Sequence, residues 1–177
     1  LAAVCLGLVV LAFLQEPGRV AADSKLDLTV NPLGFLSRAL HMWDSSGFFG
    51  QVQNQAYGYL WPVGPYFAAL REAGVVAWVV QRTWWSMILV VGFLGFVLLA
   101  RHLGVRSALG RVIGGLGYVL SIRMTTELTT VSVELWPMAV APWILIPLAI
   151  GSQRGSPRRW AAVSGVSRLT VSLETPA

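Results

Sequence analysis

The sequence predicts an all-α membrane protein, with about four spanning helices and a long first loop that carries short helices at the membrane surface. Three observations predict it. Of the 177 residues, 55% are hydrophobic and only 12% are charged, which is unusual for a soluble domain of this size. Mean hydropathy is +0.66, and the apolar residues come in blocks. The basic residues are nearly all arginine and sit at the block edges, where they read as topology signals and headgroup contacts. The formal net charge of +5 is therefore not a nucleic-acid signature, and no nucleic-acid partner is expected.

The first span is read at about 1–15, "LAAVCLGLVVLAFLQ". A spanning helix needs roughly 20 residues, so this is taken as the remaining part of a helix. The alternative is a signal-peptide core cleaved after "VAAD" (20–23), which the intervening Pro17-Gly18-Arg19 and the later spans oppose. Cys5 is the single cysteine. It excludes an internal disulfide and a cysteine zinc site, and reads as a packing or lipid-facing residue.

A loop of about 16–76 follows Gln15-Glu16-Pro17-Gly18, a helix-stop signal. Within it, "NPLGFLSRALHMW" (31–43) places Leu33, Leu36, Leu40 and Trp43 at helical spacing behind an Asn31-Pro32 cap. It predicts an interfacial helix, and "GPYFAALREAG" (64–74) predicts a second. Span two, about 77–100, carries Trp78, Trp84 and Trp85 in its first third, the place of an aromatic belt. Span three, about 108–122, contains Gly110, Gly114, Gly115 and Gly117, which permit close helix packing. It is short, so it is tilted, partly re-entrant, or extended into 123–131. Span four, about 133–151, is interrupted by Pro137, Pro142 and Pro147, breaks that a helical bundle tolerates. The boundary of the spanning region is put near 160. The tail 161–177 has neither the length nor the pattern of another span and reads as the product of truncation or of an altered frame.

Orientation follows from arginine. Arg101, Arg106 and Arg111 follow span two, and Arg154, Arg158 and Arg159 follow span four. By the positive-inside rule that side is cytoplasmic. The long first loop and the 123–132 loop then face outward.

Several residues of the outward side can carry chemistry. Asp23 and Asp27 flank Lys25 just beyond span one. A carboxylate there can act as general base toward a hydroxyl; alternatively it is a solvated loop residue or a cap. Asp44, before Ser-Ser-Gly, reads as a turn residue. Gln51, Gln53, Asn54, Gln55, Tyr57 and Tyr59 form an uncharged amide–aromatic run. Amides match sugar hydroxyls and aromatic faces match sugar rings, or the run meets loop backbone and headgroups. Arg82 lies inside span two and Arg123 at the end of span three. Either can bind a lipid phosphate or snorkel to the interface. Glu134 can pair with one of them, and Glu127 lies on the same side. His41 and His102 fall on opposite sides, so no shared metal site is expected. No nucleotide loop, GxSxG or zinc motif occurs.

"DSKLDL" (23–28), "LHMWDSSGFFGQVQNQAYGYLWPVGPYF" (40–67), "WVVQRTWW" (78–85) and "SVELWPMAVAPWILIPL" (132–148) together resemble the N-terminal region of the actinobacterial α-(1→3)-arabinofuranosyltransferases. The resemblance implies the N-terminal part of a GT-C glycosyltransferase bundle over 1–160. It implies a multi-pass cell-membrane protein whose first long loop is extracytoplasmic. The donor would be decaprenylphosphoryl-arabinose, the acceptor a cell-wall arabinan, and the lipid bilayer a partner. Transfer would be inverting, with one carboxylate as base and neither cofactor nor metal. Carried over, that base falls on Asp23, with Asp27 second. The sugar-binding motif falls on Gln51, Asn54, Gln55, Tyr57 and Tyr59. Lys25, Arg82 or Arg123 for the donor phosphate is an electrostatic assignment made beside the resemblance. Members of the family are much longer, so this chain alone is expected to be inactive. Rival readings are a transporter or flippase fragment, which should show paired broken helices, and a glycan-binding membrane scaffold without chemistry.

Overall fold

The two longest apolar blocks form the two longest helices of the computed structural model, which describes residues 1–23, 25–45, 49–52, 56–154 and 164–165. In chain order the helices are α1 (Ala2–Leu14), α2 (Leu26–Val30), α3 (Pro32–Ala39), α4 (Val63–Glu72), α5 (Ala77–His102), α6 (Ala108–Val119), α7 (Ile122–Glu127) and α8 (Ser132–Arg154). A two-residue antiparallel ladder, β1 (Trp43–Asp44) with β2 (Gln51–Val52), and a 3-10 turn at Ala56–Tyr59 lie between α3 and α4. By length and composition α5 and α8 can each cross a bilayer, whereas α1 and α6 are apolar but shorter. The tail 161–177, apart from 164–165, lies outside the described residues.

Helix α5 is the centre of the bundle, packed by α1, α6 and α8. Its Val80, Trp84, Trp85, Ile88, Leu89 and Phe93 are buried. Near its start, Trp84 meets Trp136 of α8 with ring centroids 5.4 Å apart. Further along, Gly92 faces Ala139 and Gly95 faces Trp143. At its end, Gln153 Nε2 donates to the His102 carbonyl at 2.6 Å. The two long helices therefore run parallel. The intervening chain must return over the same height, about 27 Å from Trp84 to His102 at 1.5 Å per residue. Helix α6 supplies about 18 Å of that. Segment 120–131, which contains α7, covers the remainder before α8 begins. The end where α5 and α8 begin also receives the end of α1, since Phe13 meets Trp78 at 6.1 Å.

Local sequence explains most boundaries. Asn31 caps α3 by accepting from the Gly34 N–H at 3.0 Å, and Pro32 opens its first turn. The helix stops at Ala39, so Trp43, expected on the same face, lies instead in β1. Helices α4 and α5 both end on a glycine with positive φ, Gly74 at 81° and Gly104 at 91°. In each, the next amide reaches back five residues, Val75 to Leu70 and Val105 to Ala100, which closes the helix end as glycine permits.

Two expectations are corrected. Trp84 and Trp85 form no outward belt: both are 0% exposed. A central helix buries side chains all round, and Trp84 is enclosed by Tyr66, Phe67 and Trp136. The three prolines of span four do not break it either, because α8 continues through Pro137, Pro142 and Pro147. Proline at 142 lacks the N–H that would serve the carbonyl at 138. The Tyr118 hydroxyl donates to that Met138 carbonyl at 2.6 Å, so a neighbouring helix supplies the missing bond.

Candidate active site

The loop after α1 is pinned to the start of α5 by two adjacent buried side chains. Gln81 is 0% exposed and Arg82 1%. The Gln81 amide pairs with both backbone groups of Ala21, accepting its N–H at 2.9 Å and donating to its carbonyl at 3.0 Å. Arg82 donates to the carbonyls of Gln15 at 2.9 Å, Arg19 at 3.1 Å and Glu16 at 3.5 Å. It also donates to the Gln81 side chain at 2.9 Å, and its guanidinium lies 4.1 Å from the Trp85 ring centroid. The expected phosphate ligand Arg82 thus spends its donors on the loop's own carbonyls, which buried backbone demands.

Two residues past that clamp, half-buried Asp23 reaches the first turn of α8. Its Oδ1 accepts the Ser132 backbone N–H at 2.9 Å. Its Oδ2 accepts the Ser132 hydroxyl. The Ser132 hydroxyl oxygen in turn accepts the Trp84 indole N–H at 3.1 Å. The carboxylate therefore sits at a helix N-terminus, whose unpaired amides and dipole favour a negative charge. Asp27 is placed differently. It stands in the short α2, 70% exposed, in an ion pair with Arg38 at 2.7 Å.

The other predicted residues divide. Lys25 is half-buried immediately before α2. Tyr59 is buried edge-on against Phe35, 5.5 Å between centroids. Arg123 is exposed at the start of α7 and faces Glu134 of α8 at 3.8 Å, the pairing expected for Glu134. Asn54 and Gln55, with Gln53, lie outside the described residues, as do the side chains of Gln51 and Tyr57. Tyr66 of α4 donates to Thr83 of α5 at 2.8 Å. Burial pushes its phenol above the usual value of 10.0, and the bond to Thr83 partly offsets this. Among the described residues no group of three or more His, Cys, Asp and Glu could hold a metal ion. Sequence reasoning missed Gln81, Ser132 and the role of Trp84. An amide beside an arginine inside an apolar block was the available signal for Gln81.

The Asp23 carboxylate is thus held by the Ser132 amide and hydroxyl, beside a loop stapled to the bundle by Gln81 and Arg82. The family model for the α-(1→3)-arabinofuranosyltransferase N-terminal GT-C domain matches residues 7–172. The chain belongs to this family. An α-(1→3)-arabinofuranosyltransferase of Mycobacterium tuberculosis is 46% identical over 163 residues, which cover 92% of this chain and 12% of that protein. One of Mycolicibacterium smegmatis is 49% identical over 142 residues, covering 80% and 10%. A mycobacterial arabinofuranosyltransferase AftD, solved by cryo-electron microscopy, superimposes with a TM-score of 0.86 at 45% identity, over 96% of this chain and 13% of that one. The chain thus spans about an eighth of the length of these relatives, and the family read from the "DSKLDL" and "GQVQNQAYGYL" segments is borne out.

Proposed function

We propose that this chain forms the N-terminal part of an arabinofuranosyltransferase, with Asp23 as its general base. The donor is decaprenylphosphoryl-arabinose and the acceptor an arabinan hydroxyl of the cell wall. The acceptor oxygen bonds to the anomeric carbon as the bond from that carbon to the phosphate oxygen breaks. The electron pair leaves on the polyprenyl phosphate, the acceptor proton passes to Asp23, and a β-linked donor yields an α-1,3 product. The observation that carries this reading is the Asp23 carboxylate held by Ser132 where the loop, α5 and α8 meet. The exposed pair with Arg38 makes Asp27 the weaker candidate. Lys25 and Arg123 are assigned to the donor phosphate, and Arg82 to holding the loop. Gln51, Asn54, Gln55, Tyr57 and Tyr59 are assigned to the sugar wall.

In the membrane, α1, α5, α6 with α7, and α8 make four crossings, and the loop between α1 and α5 lies outside the cytoplasm. The rest of the catalytic domain comes from further helices, so the chain alone is inactive.

The test uses the full-length M. tuberculosis relative with its matched segment replaced by this chain's. Membranes are assayed for transfer from lipid-linked arabinose. Asp23→Asn keeps the acceptor toward the Ser132 amide but removes the base. It should lower kcat by about 10²- to 10⁴-fold, the usual worth of general-base catalysis. Asp27→Asn should stay within a few-fold of the parent. Parental activity in Asp23→Asn would overturn the assignment.

A further inference from the structure

We propose that Ser132, oriented by Trp84, is the positioning residue of the Asp23 carboxylate. The inference rests on Asp23 being the base. A serine hydroxyl carries one proton and accepts at its lone pairs, whereas an indole N–H only donates. The buried Trp84 N–H points at the Ser132 oxygen, 3.1 Å away. That oxygen therefore accepts from Trp84 and turns its own proton to Asp23 Oδ2. The Ser132 amide is one of the first-turn N–H groups that lack a partner within their helix, and it serves Oδ1 at 2.9 Å. One residue, 109 positions away in sequence, thus holds both oxygens and fixes the carboxylate plane.

The clamp has a rigid base. Ser132 is 3% exposed and Trp84 0%, and Trp84 is packed by Tyr66, Phe67 and Trp136. From the other side, Gln81 fixes Ala21, two residues before Asp23, by both backbone groups. A base held this way needs no reorganisation when the acceptor hydroxyl arrives, and misplacement by about 1 Å costs about 10²-fold in rate.

The test uses the same full-length chimera. Ser132→Ala keeps the amide and removes the hydroxyl; kcat should fall about 10- to 100-fold with KM unchanged. Ser132→Thr restores the hydroxyl and should return kcat to within a few-fold. Trp84→Phe leaves the hydroxyl without its orienting donor and should give a smaller loss. Ser132→Ala placed on Asp23→Asn should add nothing, because both act through one carboxylate. Thermal unfolding of the four proteins of that cycle reads the contact itself, and a non-zero coupling is expected. Full activity in Ser132→Ala, failure of threonine to rescue, or a full additional loss on Asp23→Asn each overturns the positioning role. Parental activity in Asp23→Asn overturns the base, and with it any catalytic meaning of the clamp. Zero coupling in the unfolding cycle overturns the contact, and with it the positioning role.

Discussion

Gln81 and Arg82 sit fully buried in an apolar helix, and their polar atoms are matched by loop backbone 60 or more residues away. A leucine at 81 has nearly the same volume but leaves the Ala21 N–H and carbonyl unmet. Each unsatisfied buried group costs about 1–3 kcal/mol. Gln81→Leu should therefore lower the unfolding midpoint of the detergent-purified chain by several degrees and expose the 16–25 segment to protease. An unchanged midpoint would mean that the loop does not depend on this clamp. The same residues mark what was legible in the sequence. Asp23 and Arg82 were recognisable because a charge beside or within an apolar block is costly. Ser132 was not, and Gln81 was marked only as an amide beside that arginine, because their partners are fixed by how α1, α5 and α8 pack. No local spacing encodes a contact between a loop and a helix start 109 residues later. The amide–aromatic run was legible as a composition and a family signature, not as geometry.

Among elements, helix existence was legible because apolar blocks of 20 or so residues have few alternatives, and the caps Asn31-Pro32 and Gly104 carry local chemistry. Continuity of α8 was not, since the partner that completes its backbone, Tyr118, belongs to another helix. Helix α6 shows how sequence and packing divide the work. All four of its glycines look alike in sequence, yet a methyl group at Gly115 would lie 2.9 Å from Phe93 and 3.0 Å from Val97, while at Gly117 nothing lies within 4 Å. Overpacking costs about 1–3 kcal/mol, and replacing a helical glycine by alanine returns up to about 1 kcal/mol. Gly115→Ala should therefore be neutral to destabilising by about 2 kcal/mol, and Gly117→Ala neutral to stabilising. Thermal unfolding in one detergent compares the two, and the reverse order would place α6 on a different face of α5.

For the whole molecule, the parallel course of α5 and α8 is what the proposed topology rests on. If both helices span, as proposed, they need a return between them, and among the described residues α6 with α7 is the chain that lies between them. If the chain is inserted as proposed, the start of α5, the loop after α1 and the start of α8 share the outer side. The arginines Arg101, Arg106 and Arg111 gather on the inner side, where positive charge is retained. The exposed apolar residues Leu6, Val10 and Leu14 of α1 and Leu145 of α8 then face lipid or further helices of the longer protein. Cys5 is the single cysteine, so a Cys5→Ser background permits single-site labelling. Glu72 and Arg106 are both exposed, near opposite ends of α5. Glu72→Cys in intact cells should react with a membrane-impermeant maleimide, and Arg106→Cys should react only after permeabilisation. Labelling of both in intact cells would mean that α5 does not cross, and would break the proposed path at its first step. Labelling of Arg106→Cys alone would invert the chain, putting Asp23 on the side where no extracytoplasmic arabinan can reach it.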